Sequence, residues 1–119
     1  MSTSLASLQK ALASLEEALS MEKSKIVRDG TIQRFEYTIE LAWRLTKKKL
    51  GSPSTAPKVI VREMASQGLI NNPEDWFDYI DRRNETSHIY NEEVAERVYA
   101  AAAAFAKDCR NLLGKLTSL

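Results

Sequence analysis

The sequence predicts an all-α protein, a four- to five-helix up-and-down bundle that dimerises, and three observations carry the prediction. Apolar residues recur at three- and four-residue intervals nearly throughout the 119 residues, the spacing of amphipathic helices. Glycine and proline are scarce, four and three residues, and three of the seven fall in one clear loop. No segment alternates apolar and polar as a strand would, and no internal repeat or low-complexity tail interrupts the pattern. A chain of this length has room for one core, so residues 1–119 read as a single helical-bundle domain.

The first helix carries Leu5, Leu8, Leu12, Leu15 and Leu19 on one stripe, with Gln9, Lys10, Glu16 and Glu17 between them. The second, from Asp29 to Leu50, sets Ile32, Phe35, Ile39, Ala42 and Thr46 on one side and Tyr37, Leu41 and Leu45 on another, with Trp43 between. That breadth implies burial on more than one face, and it motivates the expected homodimer. The stretch GSPSTAP, residues 51–57, is the loop; Pro57 suits a first helical turn, and Gly68 is expected to stop the short helix it opens. In NNPEDW, Asn72 is expected to cap free N–H groups, Pro73 loses no needed donor, and Glu74 and Asp75 lie where the helix dipole favours negative charge. The last helix opens near Asn91 and aligns Val94, Val98, Ala102, Phe105, Cys109, Leu112 and Leu116. Its run YAAAAAF, Tyr99 to Phe105, is thin enough for a neighbouring helix to approach closely.

Composition narrows the function classes. Seventeen Lys and Arg against sixteen Asp and Glu leave a net charge of +1, so any nucleic-acid contact must be local rather than driven by a general field. Cys109 is alone, which rules out an intrachain disulfide, and one Cys with one His cannot assemble a four-ligand zinc site. No metal or cofactor is expected. No apolar run is long enough for a bilayer, the start MSTSLASLQK lacks the features of a secretory leader, and a cytoplasmic location fits best.

The chemistry gathers in RRNETSHIY, Arg82 to Tyr90, around the single histidine. On a helical wheel with Arg83 at the origin, Ser87 falls at about 40°, Asn84 at about 100° and His88 at about 140°. Trp76 at about 20°, Ile80 at about 60° and Phe77 at about 120° share that side. The polar group is therefore expected to face inward along the apolar stripe, with Arg82, Glu85 and Thr86 in solvent. Burying Arg and His so costs several kcal/mol unless each is paired or the site opens to water, which a cleft or a subunit interface would allow.

Three ordered blocks carry a family resemblance: RFEYTIELAW (Arg34 to Trp43), the helix containing VIVREMASQGLI (Val59 to Ile70), and RNETSHIYNEEVAERVY (Arg83 to Tyr99). Over about residues 5 to 115 the chain resembles the nucleotidyltransferase substrate-binding proteins, a branch of the HEPN superfamily of helical bundles. The most specific element is Arg, four residues, His, one residue, Tyr, which falls on Arg83, His88 and Tyr90, with Asn84 after the Arg. One departure is Ala56-Pro57 where many relatives have a Ser-Pro cap.

The resemblance implies a four- or five-helix homodimeric bundle working with a separately encoded minimal nucleotidyltransferase, in a pair of toxin–antitoxin type. It further implies that Arg83 and His88 are the catalytic residues if the site is active, meeting their copies at a dimer cleft in metal-independent RNA cleavage. Nucleotidyl transfer itself needs a Gly-Ser turn against the phosphates and closely spaced acids on a strand. Here Gly51-Ser52 leads into the Pro-rich loop and Asp75, Asp78 and Asp81 lie on a helix, so a partner must supply that chemistry.

From the residues themselves, a histidine near pKa 6.5 can exchange a proton with a ribose 2′-OH or a leaving oxygen, and an arginine can stabilise phosphate charge. Arg83, Asn84, Ser87 and His88 could equally hold a nucleotide or RNA phosphate without cleavage, and the binding and partner role is the favoured reading. An inert dimeric scaffold is the third. Tyr90, at about 340° on the wheel, is expected at the rim beside Arg83, where a nucleotidyl group added by the companion would set negative charge against the arginine. Trp43, Phe35 and the Trp76/Phe77/Ile80 stripe read as packing residues, Lys47-Lys48-Lys49 as a solvated helix end with holding a nucleic-acid backbone as the lesser reading, and Cys109 as a small core residue.

Overall fold

Five α-helices and one turn of 3-10 helix make up the described residues, 3–119, of the computed structural model. The order is α1 (Leu5–Ser20), α2 (Lys25–Leu50), α3 (Pro57–Ser66), α4 (Pro73–Asn84), the 3-10 turn Thr86–His88, and α5 (Glu92–Thr117). Met1 and Ser2, which head the stretch read for a leader, lie outside the described residues. At about 1.5 Å of rise per residue, each of the 26-residue helices α2 and α5 matches the molecule's longest dimension, 39 Å. α1 packs along both, and α3 and α4 cover the remainder of α2 and α5. No helix among the described residues is long and apolar enough to cross a membrane.

Local signals set most of the ends. Ser4, Ser24 and Asn91 each accept a hydrogen bond from the backbone three residues on, satisfying an N–H that the first helical turn leaves free. Ser24 also explains why α2 begins at Lys25 and not at Asp29 as expected: once Ser24 caps Val27, the residues before Asp29 extend the helix. Gly51 takes a left-handed φ of 65° and closes α2, returning its N–H to the Lys47 and Lys48 carbonyls. Gly68, at φ 74°, turns the chain after α3 as its position predicts. The expected Asn72 cap does not form. Its amide instead donates to Asp108 at 2.9 Å and to Asp75 at 3.1 Å, tying the head of α4 to α5.

The core follows the stripes. Leu8, Leu12 and Leu15 of α1, Phe35 and Ile39 of α2, Ile60 and Met64 of α3, Trp76 of α4, and Phe105 and Leu112 of α5 are fully buried. Phe105 sits centrally, its ring edge-to-face with Phe35 at 5.3 Å, Trp76 at 5.5 Å and Tyr79 at 5.5 Å. α2 is buried on more than one side, Leu41, Trp43 and Leu45 included. Its buried threonines, Thr31, Thr38 and Thr46, donate back to the carbonyls four residues earlier, so no hydroxyl is orphaned. Cys109 is fully buried, and burial pushes its thiol up to about 12, the behaviour of a core residue.

One polar staple was absent from the sequence reading. Arg28, only 3% exposed, donates to Glu92 at 2.7 Å and Glu96 at 3.1 Å, and to its neighbour Asp29, fixing the head of α2 to the first turns of α5. Lys25 and Lys23 add pairs to Glu92 and Glu96. The Arg28 hydrogen bond first, then that of Lys25, holds the Glu92 carboxyl down from 4.5 to about 2. A carboxyl depressed in the folded state contributes stability above its unfolded pKa and loses it as pH falls through the folded one. The urea midpoint is therefore expected to drop between pH 4.5 and about 2. Arg28→Met should show a shallower drop over the same window; parallel pH profiles for the two proteins would refute the assignment.

Candidate functional site

The helix that carries the polar cluster buries Trp76, Tyr79 and Ile80 and reaches its last residue at Asn84. Ser and Thr compete with the helical ladder through their own hydroxyls. Here the Thr86 hydroxyl lies 2.9 Å from the Arg83 carbonyl and 2.6 Å from Glu36, and the chain tightens into the Thr86–His88 turn. Backbone bonds from His88 to Glu85 and from Asn91 to His88 continue the tight winding up to the Asn91 cap of α5. The wheel drawn through RRNETSHIY therefore holds only as far as Asn84.

That break corrects two expectations. Asn84, Ser87 and His88 are exposed instead of facing inward, and Arg83 is half-buried. Arg82, Glu85 and Thr86, expected in solvent, are half-buried as well. Glu85 takes two hydrogen bonds from Arg97 of α5, which chiefly hold its carboxyl below the ordinary range. The second correction concerns Tyr90. It is 81% exposed and stands with His88 rather than on the opposite side from it: the two rings meet edge-to-face at 5.9 Å, and the hydroxyl lies 3.4 Å from His88 Nδ1.

Arg83 is steered toward α2. Its Nε donates to Glu40 at 2.7 Å, and its guanidinium lies 3.7 Å from Glu36. Glu40 faces a second cation, since its other oxygen accepts from Arg44 at 3.2 Å. Arg83 and Arg44 thus share one carboxylate, at the wall of an open groove of about 540 Å³ lined also by Glu36, Tyr37, Leu41 and Thr3. Glu36, Glu40 and Arg44 are site residues that sequence reasoning passed over. Their signal was present: a four-residue spacing puts all three on one face of α2, with Glu36 and Glu40 inside a block already singled out and Arg44 directly after it.

The structure gathers the predicted residues into two neighbouring parts. Arg83 lies in the groove with the α2 carboxylates, while His88 and Tyr90 form an exposed pair on the turn. Asn84 and Ser87 flank them, and neither side chain is hydrogen-bonded among the described residues. Trp43 and Phe35 are buried, as expected of packing residues. Among the described residues, no three His, Cys, Asp or Glu side chains gather as a metal site.

Fold and corner together define a class: an all-α bundle built on two long helices, presenting Arg, His and Tyr where the fourth helix passes to the fifth. Solved structures share the whole architecture. A Thermus thermophilus protein matches at a TM-score of 0.84 and 33% identity, over 92% of this chain and 98% of its own. HI0074 of Haemophilus influenzae, described as the substrate-binding domain of a nucleotidyltransferase, matches at 0.83 and 31%, over 96% and 99%. A Haemophilus influenzae relative named "Probable ribonuclease HepT" is 36% identical over 95 residues, 73% of this chain and 65% of that relative's length. The chain belongs to the family described as nucleotidyltransferase substrate binding protein like, whose model matches residues 3–118.

Proposed function

We propose that this protein is the nucleotide-binding helical partner of a minimal nucleotidyltransferase, in a two-component system of toxin–antitoxin type. The observation that carries the reading is the exposed His88–Tyr90 pair on the turn that follows Arg83 in the chain: polar chemistry left open to ligand rather than consumed by the core. The family description supports the partner, which supplies the Gly-Ser turn and magnesium-binding acids. Arg83 meets phosphate with its planar fork, and Asn84, Ser87 and His88 supply hydrogen bonds at the exposed edge. Two copies pair so that their corners share a cleft.

A second reading is favoured by one finding, the name of the Haemophilus relative as a probable ribonuclease. In that reading the ribose 2′-oxygen attacks the adjacent phosphorus and the 5′-oxygen leaves. His88 exchanges protons with these oxygens, while Arg83 stabilises the charge on the phosphate.

Both readings give Tyr90 a role. With its hydroxyl in solvent and His88 Nδ1 nearby, it is the nucleophile the companion modifies. The phenolic oxygen attacks the α-phosphorus of ATP, pyrophosphate leaves, and the proton passes to His88 or water. The added phosphate then sets negative charge at the corner and closes it to nucleic-acid phosphate. Co-expression with a minimal nucleotidyltransferase should recover a complex. Intact-mass measurement after incubation with ATP and magnesium should show one or more nucleotidyl additions to wild type and none to Tyr90→Phe. No complex, an unmodified wild type, or equal modification of the variant would count against the proposal.

A further inference from the structure

Glu40 has an unusual position for a surface carboxylate. One oxygen takes the Arg83 hydrogen bond from α4 and the other that of Arg44 from its own helix. The arginines are thereby held on either side of one small anionic group, the arrangement in which paired guanidinium groups bind a phosphate. The groove does not end there. Thr3 and Arg44 line both the hollow that contains Arg83 and a second hollow, of about 490 Å³, whose wall continues through Lys47, Lys48 and the Gly51-Ser52 turn.

The cations along this path are available. The Arg44 side chain is 57% exposed and braced against the Trp43 ring at 4.7 Å. Lys48 is exposed and its ammonium donates one long hydrogen bond, 3.5 Å, to the Thr3 carbonyl, whereas Lys47 is turned onto the Ser52 carbonyl at 2.7 Å. Arg44 and Lys48 are four residues apart, which puts them on one face about 6 Å apart along the axis. Successive phosphates of an extended strand are comparably spaced.

We infer that Glu40 occupies a phosphate subsite shared by Arg83 and Arg44, and that Arg44 and Lys48 continue it along α2 as a track for the backbone of a single RNA strand. This rests on the phosphate-binding reading of Arg83 and extends it from a mononucleotide to a polymer. Glu40 acts as a resident competitor: the incoming phosphate displaces it from both arginines. Because backbone phosphates alone are contacted, the track reads charge and spacing and not base sequence.

The test compares AMP with a fluorescently labelled uridine octanucleotide on the full chain over a range of salt concentrations. The octanucleotide should bind at least tenfold tighter than AMP. Lys48→Ala should lower the octanucleotide-to-AMP affinity ratio severalfold and reduce the log–log salt slope by about 0.7, the value for one contact to a single strand. Glu40→Gln should tighten both ligands. Each side chain has an exposed end, and thermal melts of the variants verify folding. If AMP binds and the octanucleotide binds no tighter, the track is wrong while the nucleotide reading stands; if neither binds, both fall. Lys48→Ala with unchanged octanucleotide affinity and slope also overturns the track. Should that variant instead lose only the companion in a pull-down, the lysine belongs to a protein interface and the track is likewise overturned.

Discussion

Phe105→Ala is expected to lower the unfolding free energy by about 3–5 kcal/mol, the cost of deleting a large aromatic side chain from a core that only partly collapses around the gap. Phe105 is fully buried, and three rings from two other helices stand edge-to-face against it. Its loss opens the joint where α2, α4 and α5 meet. Native domains are stable by only about 5–15 kcal/mol, so this substitution removes a large share of the total. Urea unfolding followed by the fluorescence of Trp43 and Trp76 should show a midpoint lowered by about 2 M with a similar slope. A shift of a few tenths molar would mean the cluster relaxes around the gap and does not define the core.

Arg83→Ala is expected to weaken binding of AMP by roughly 10- to 100-fold, matching the loss of one charge-assisted hydrogen bond of about 1.5–3 kcal/mol. Stability should change far less. The Arg83 side chain is 32% exposed and Glu40 26%, and a partly solvated pair of this kind is worth about 1 kcal/mol or less after screening. The two readouts therefore separate. Calorimetric titration and a thermal melt on one preparation suffice. Arg83→Lys should recover only part of the affinity, because an ammonium keeps the charge but not the planar fork. Unchanged AMP binding in Arg83→Ala would remove the arginine from the site.

The bundle was legible in the sequence because its signals are local and repeated. The α1 and α5 stripes, the Pro57 and Pro73 starts and the Gly51 and Gly68 turns each depend on a few neighbouring residues, and the structure keeps them. The site was legible in composition but not in arrangement. Arg83, His88 and Tyr90 were marked by their spacing, yet their directions depended on whether the helix survived past Asn84, where the Thr86 hydroxyl competes for the Arg83 carbonyl and reaches across to Glu36. A bond to a residue fifty positions away leaves no periodic trace. The same holds for the cross-helix bonds of Arg28 and Glu40; the four-residue spacing marks the Glu40 face of α2 but not its Arg83 partner.

Those two residues share α2, and the corner is built to the length between them. The segment from Glu85 to Asn91 is anchored at its start by Arg83 on Glu40 and just beyond its end by Glu92 on Arg28. Both distances are measured off one rigid rod, so α2 acts as a ruler against which His88 and Tyr90 are positioned. A residue inserted in α2 between these anchors would leave each bonding group intact, yet turn one against the other by about 100° and separate them by a further 1.5 Å or so. Substitutions within the loop leave these two anchors in place. A change in the count of residues between positions 28 and 40 does not.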